Sequence, residues 1–419
     1  MTPRGFRDVL PQEAAERDAI ASTLADVYGT WGYQLVETPL VEDFATLEAG
    51  AGAPDSNTFR LFDSDGRLLA LRPEMTVPIA RLTASRLSGE RGPHRLHYAA
   101  DVFREQVSLR GQSRQFTQSG VEYIGASGPA ADAEVVALLI ESIAATGLAD
   151  FTVALGTVEV LSALLAASRA PEEWQEAIRC AAHDRNLVEI DRLATLRDIP
   201  GDVGVALRAV VRLRGGREAI DQCREHLEAC GCGAVLKTFT AMWDILETSG
   251  LTGHATVDFG TMRSFDYYTG LVFELLVPGL GLPLGGGGRY DTVLGAFGAP
   301  SAAAGFAVGI ERLHIALSEQ GVAPAVRRLD AIVCGGSASE VFAGAARLRA
   351  AGWRVRVAVG SSGAECVAAA HAAAAFEALS VSGGSIVRLD REGQPADPLR
   401  EPLPAPPTLT ADHGSGMVR

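Results

Sequence analysis

Three stretches of the chain gather polar groups against an apolar background. Leu71-Arg72-Pro73-Glu74-Met75-Thr76 sets a carboxylate and a hydroxyl directly after an apolar run. Val102-Phe103-Arg104 precedes Gln115–Glu122, where strand alternation puts Phe116, Gln118, Gly120 and Glu122 on one face. The third stretch is Arg263-Ser264-Phe265-Asp266-Tyr267-Tyr268, followed by Gly285–Arg289 and later Arg312. Carboxylates, a carboxamide, phenols and guanidiniums are groups for charge and hydrogen-bond recognition of a small polar molecule. No nucleophile–base pairing stands out, and the eight histidines show no metal-ligand spacing. The four consecutive glycines are followed by no lysine or hydroxyl residue that would close a P-loop. Singly, each group also has a plainer reading. Arg104 or Arg312 can be a structural ion-pair residue, Gln118 and Glu122 a solvated strand face, the tyrosines packing, and Gly285–Gly288 a loop.

The elements that must position these groups divide the chain. Residues 1 to 158 mix helix and strand. Ile20, Leu24 and Val27 recur at helical spacing within Glu13–Tyr28, strands are expected at Tyr33–Glu37 and Arg67–Arg72, and Arg95–Arg104 with Arg114–Ile124 reads as a hairpin. Ala131–Thr146 is a helix closed by Gly147. Residues 159–250 read as a helical insertion, and strand character returns over 251–325. Residues 329–392 alternate strand and helix as a small α/β unit, including a helix over Ala364–Ala378. Six prolines between Pro395 and Pro407 then mark 393–419 as a disordered tail. The expected class is α+β with a mainly antiparallel sheet.

Composition narrows the function classes. Of 419 residues 47% are apolar, and the net charge is −14 with a single lysine, Lys237. That balance argues against a broad basic surface for nucleic acid. No uncharged run is long enough to span a bilayer. Met1–Gly5 lacks the apolar core of a signal peptide and six cysteines make no disulfide framework, so a cytoplasmic protein with free thiols is expected. Cys223, Cys230 and Cys232 cluster near His226, but without a second close pair they read as packing thiols, and no metal or other cofactor is expected.

Together and in this order the stretches resemble one family. Phe103-Arg104 ahead of Phe116-Thr117-Gln118 is similar to motif 2 of class II aminoacyl-tRNA synthetases, and Gly305–Leu313 to motif 3. Pro3–Pro11, Leu71–Glu74, Arg263–Gly270 and Gly287–Asp291 resemble the histidyl-tRNA synthetase branch, so the resemblance covers about residues 3 to 320. It implies a six- to seven-stranded antiparallel sheet flanked by helices, dimerising near Trp31–Pro39, with 1–158 and 251–325 as the core and 329–392 as a degenerate anticodon-binding domain. It also implies a histidine pocket. Glu74, Thr76, Gln118 and Glu122 would serve the ammonium side, Tyr267 and Tyr268 the imidazole, and Arg263 the carboxylate.

Binding histidine is not activating it. Glu105–Arg114 carries Gln106, Val107 and Gln112 where synthetases typically carry an acid, a base and an arginine, so phosphate-facing charge is reduced and Arg104 and Arg312 are vestiges of a nucleotide site. Gly52–Phe62 lacks the lysine-containing acidic segment that synthetases carry before Leu71. Arg328–Asp397 holds seven basic and seven acidic residues, without the cationic excess that a tRNA grip needs, so tRNA is not an expected partner. Leu71–Arg81 and Phe116–Gly125, in turn, resemble the synthetase's paralogues, the regulatory subunits of ATP phosphoribosyltransferase. That resemblance implies a non-catalytic chain partnering the short-form catalytic subunit at the first step of histidine biosynthesis and responding to L-histidine. An active histidyl-tRNA synthetase and a free-standing histidine-binding interaction protein are the alternatives.

Overall fold

A computed structural model describes residues 1–51, 58–105, 113–196, 198–261, 267–324, 326, 328–400 and 402–406. The chain forms two compact units, Met1–Ala325 and Val326–Arg419.

Unit 1 opens with α1 (Pro11–Thr30). Pro11 suits the first helical turn, Ile20, Leu24 and Tyr28 bury one stripe at four-residue spacing, and Gly32 at φ 78° turns the chain away. Then follow β1 (Gln34–Leu35), β2 (Val41–Asp43), α2 (Phe44–Ala51), β3 (Arg60–Phe62), β4 (Leu68–Leu71) and α3 (Thr76–Leu82). The hairpin expected from alternation is β5 (His94–Phe103) with β6 (Gln115–Ile124), paired from His94↔Ile124 to Phe103↔Gln115. Beyond it, Arg104 N–H donates to Arg114 O at 2.9 Å and closes a neck beneath the intervening residues. Next come α4 (Pro129–Ala145), β7 (Thr152–Thr157) and the helices α5 (Val158–Ser168), α6 (Glu172–His183), α7 (Leu187–Ala194) and α8 (Gly201–Val210). The unit finishes with β8 (Arg214–Gly215), α9 (Arg217–Ala229), α10 (Lys237–Thr248), β9 (Ala255–Asp258), β10 (Leu271–Leu276), β11 (Gly285–Arg289), β12 (Ala303–Gly309) and α11 (Ile310–Glu319).

Among the described residues the main sheet has nine strands in the order β1-β5-β6-β12-β11-β10-β7-β9-β8. The six from β5 to β7 are antiparallel throughout. This agrees with the mainly antiparallel sheet expected; outside those six, β1 joins β5 and β9 joins β7 in parallel. Val121, Leu155 and Phe273 on one face of the sheet share a core with the buried stripe of α4 and with Trp174, Leu207 and Met242 of the helical stretch. The helices over 159–250 therefore share the apolar core of unit 1. Cys223 lies fully buried in that core. The other face meets a smaller cluster built from Met75, Val77, Ile79, Tyr98 and Tyr290.

Unit 2 contains β13 (Ala331–Gly335), α12 (Ala338–Ala350), β14 (Val355–Val357), α13 (Gly363–Ala372), β15 (Glu377–Ser382), β16 (Ser385–Leu389) and β17 (Pro395–Pro398), with sheet order β14-β13-β15-β16-β17. Two sequence expectations change here. The helix expected through Ala378 ends at Ala372, because Ala374 adopts φ 50° and Glu377 N–H bonds Asp330 O to begin β15. An alanine run has no apolar period from which that stop could be read. The segment from 393 is also not a free tail throughout. Residues 395–398 pair with β16 at the sheet edge, where proline's missing N–H costs nothing, and Trp353 Nε1 donates to Pro404 O at 2.8 Å. Residues 407–419 lie outside the described residues.

Candidate functional site

The face of β6 opposite α4 opens into a cavity of about 660 Å³ in unit 1. Phe116 and Gln118 reach it from β6, and Tyr98 from β5. Its floor is nearly bare of side chains. The glycine run that the sequence leaves as a possible loop is the central strand β11, and Gly285, Gly286 and Gly287 face the cavity together with Gly305 of β12. A Cβ on any of these four glycines, or on Gly288 beside them, would stand 2.5 Å or less from a neighbouring atom. A Cβ on Gly305 would stand 2.1 Å from Glu122 Oε2, and one on Gly288 would stand 2.7 Å from Tyr268 Cδ1. Gly305→Ala is expected to displace the Glu122 carboxyl and cost about 1–3 kcal/mol, read as a shift in denaturation midpoint.

The start of α3 supplies one wall. Arg72, 7% exposed, donates to Asp101 O at 2.8 Å and Thr38 O at 2.7 Å, which pins the Leu-Arg-Pro-Glu segment to the sheet. Two residues on, the Glu74 carboxylate accepts from the backbone N–H groups of Thr76 at 2.6 Å and Val77 at 3.0 Å, capping the helix amides. Burial raises the Glu74 pKa, while those amides and the Arg104 charge oppose the rise. Thr76 Oγ1 donates to Glu122 Oε1 at 2.8 Å, and Tyr290 OH donates to Glu122 Oε2. Glu122 is thus set behind the cavity wall, 1% exposed, instead of in the wall itself as the sequence suggests. Burial pushes its pKa up to about 8; the two hydroxyl hydrogen bonds work against this and the neighbouring Glu74 adds to it.

Tyr267 and Tyr268 meet edge to face with centroids 5.2 Å apart, and Tyr267 lies 5.9 Å from Tyr290. All three line the cavity. Gln118 lines the cavity, and its Oε1 is buried with no hydrogen-bond partner among the described residues. Arg104 and Arg312 line the cavity too, held by Arg104 Nε donating to Pro73 O at 2.9 Å and an Arg312 N–H donating to Pro283 O at 2.8 Å. The Arg104 guanidinium lies 5.3 Å from the Phe116 ring centroid. Glu311 joins three elements, pairing with Arg17 of α1 and accepting from Thr117 N–H at 3.1 Å.

Of the residues picked out from sequence, Glu74, Thr76, Gln118, Tyr267, Tyr268, Arg104 and Arg312 come together around one cavity. Glu122 stands one contact behind, and Arg263, Gln106, Val107 and Gln112 lie outside the described residues, as does 52–57 of the segment before Leu71. Sequence reasoning assigned no site role to Tyr98 and Tyr290. Tyr98 sits opposite Gly120 in the hairpin, so its signal needed the β5–β6 register. Arg7, Glu13 and His314 also line the cavity, brought there by α1 and α11 with no local signal.

The Glu122 proton carries a stability consequence. The folded chain keeps it to about pH 8, whereas an unfolded carboxyl releases it near 4.5. The folded state therefore binds more protons between those values, and stability falls as pH rises through that window. Glu122→Gln is expected to flatten this fall, read from denaturation midpoints at pH 5 and pH 8.5.

The histidyl-tRNA synthetase family matches residues 5–313, which makes the class of this fold and site synthetase-like. An ATP phosphoribosyltransferase regulatory subunit from Moorella thermoacetica is 41% identical over 89% of this chain and 95% of its own length. Another with that name, from Bacillus subtilis strain 168, is 36% identical over 75% of this chain and 81% of its own. A solved structure described as an ATP phosphoribosyltransferase regulatory subunit/histidyl-tRNA synthetase from Bacillus halodurans is 31% identical, with a TM-score of 0.79 over 91% of this chain and 98% of that one. A histidyl-tRNA synthetase from Nostoc sp. PCC 7120, 21% identical with a TM-score of 0.76 over 95% of this chain and 96% of that one, shares the fold. The chain belongs to the ATP phosphoribosyltransferase regulatory subunit family, built on the class II synthetase-like fold. No helix among the described residues is long and apolar enough to cross a membrane.

Proposed function

We propose that this chain is a non-catalytic regulatory subunit that assembles in the cytoplasm with a separate ATP phosphoribosyltransferase catalytic chain, and that its cavity binds L-histidine as the effector. The observation that carries the ligand assignment is the buried, unpartnered Gln118 Oε1 in a cavity that also presents Glu74 and three phenols. A buried acceptor without a donor costs about 1–3 kcal/mol, which a bound ammonium recovers with a charge-assisted bond. Tyr267, Tyr268 and Tyr290 cover a flat ring, and the glycine strand lets the ring approach backbone. Arg263 is the proposed carboxylate partner. Histidine favouring one state of the assembly shifts it toward that state, typically by about 1–3 kcal/mol of coupling.

Edge strand β1 presents Leu35, 63% exposed, and Leu40 nearby is 42% exposed, which supports pairing of two copies there. A second reading, an active histidyl-tRNA synthetase, is favoured by Arg104 and Arg312 both reaching the cavity. One reconstitution separates the two. Phosphoribosyl transfer by the short catalytic chain is measured with and without this subunit and with added histidine, beside histidine-dependent pyrophosphate exchange by this chain alone. Subunit-dependent transfer that histidine inhibits supports the proposal, and robust exchange overturns it.

A further inference from the structure

We propose that histidine binding in this cavity is proton-linked: Glu122 holds a proton in the free protein and releases it to solvent as the ligand's positive charge arrives. The inference rests on the reading of the cavity as a histidine site.

The geometry places two carboxyl groups around one residue. Thr76 donates its backbone N–H to Glu74 and its hydroxyl to Glu122, so the two acids are neighbours within one buried cluster. Their surroundings divide the roles. Glu74 accepts from two backbone amides and feels the Arg104 charge, both of which favour the ionised form. Glu122 receives hydrogen bonds from two hydroxyls, and among the described residues no cation pairs with it. The groups facing it are titratable but neutral or acidic: Glu74 ahead of α3, Tyr98 from β5, Tyr267 after β9, and Tyr290 after β11. Two like charges in such a cluster are not both ionised without a counter-charge, and Glu122, with two hydroxyl donors but no backbone amide or cation among the described residues, is the less stabilised anion.

A counter-charge reaches Glu122 through the cavity wall, because Thr76 and Tyr290, which both hold its carboxyl, line the cavity. Glu122 pairs across the sheet with Gly305, which in turn pairs with Gly288. The carboxyl therefore lies beside two positions that carry no side chain, and Gly305 opens on the cavity. A cationic ligand held against Thr76 and Tyr290 lies one contact from the carboxyl and takes over from the proton as its counter-charge. The O–H bond of the carboxyl breaks, the proton passes to buffer, and the cluster keeps its net charge. With burial pushing the group up to about 8, the carboxyl is mainly protonated at pH 7.

The test is calorimetric titration of the whole chain with L-histidine at pH 7 in phosphate and in Tris, whose ionisation enthalpies differ. Close to one proton released per histidine is expected, with affinity rising up to tenfold per pH unit from 6.5 to 7.5 and levelling near 8. Glu122→Gln is expected to bind with no proton release and no pH slope. Gln118→Leu is expected to bind more weakly at every pH while keeping the slope. Binding with the same heat in both buffers overturns the linkage and leaves the histidine site standing. Release that persists in Glu122→Gln assigns the proton elsewhere and also overturns it. No binding by the parent chain at any pH overturns the histidine reading itself.

Discussion

Gln118→Leu is expected to bind L-histidine roughly 10- to 150-fold more weakly than the parent chain, about 1.5–3 kcal/mol for one charge-assisted hydrogen bond. The same substitution is expected to leave the ligand-free protein as stable as before, or more so. Gln118 Oε1 is buried with no partner among the described residues, so its removal deletes an unsatisfied acceptor instead of a bond. The two readouts together discriminate between roles. A residue that merely packs would lose stability and affinity in step, whereas this one separates them. Unchanged affinity by titration calorimetry would remove Gln118 from the site.

The largest stability effect is expected from Arg289→Met. Arg289, at the end of the glycine strand, donates to Asp132 Oδ1 through Nε at 2.9 Å and through a terminal N–H at 2.6 Å, and further to Asp291 at 3.0 Å and Ala126 O at 3.2 Å. Both side chains of the Arg289–Asp132 pair are under 10% exposed. Removing the guanidinium leaves the Asp132 carboxylate buried at the start of α4 without its cation, a loss of about 3–5 kcal/mol. Chemical denaturation midpoints measure it, and Arg289→Met combined with Asp132→Leu is expected to recover most of the loss. A double variant as unstable as the single one would show that the charge pair is not the cause.

The sequence made some parts of this structure plain for physical reasons. The helical stretch over 159–250 was readable because segments such as α9 keep their apolar positions Ile220, Cys223 and Leu227 at helical spacing. The β5–β6 hairpin was readable because both arms alternate, and that alternation alone put Phe116, Gln118 and Glu122 on one face. β11 was not readable. Four glycines have no side chains with which to signal a period, yet the same bareness makes them the cavity floor. Glu122 was legible as a site residue but not as a concealed one, because its position depends on Thr76 and Tyr290 arriving from distant segments. Arg7, Glu13 and His314 were invisible for the same reason, since only the docking of α1 and α11 brings them together.

The neck where Arg104 meets Arg114 has a consequence for how such a chain diverges. It ties Arg104 to Arg114 at the open end of the hairpin, so the pairing from His94 to Phe103 is anchored there whichever residues occupy 106–112. Sequence over 106–112 can then vary while the strands that carry Tyr98, Phe116 and Gln118 to the cavity stay in place.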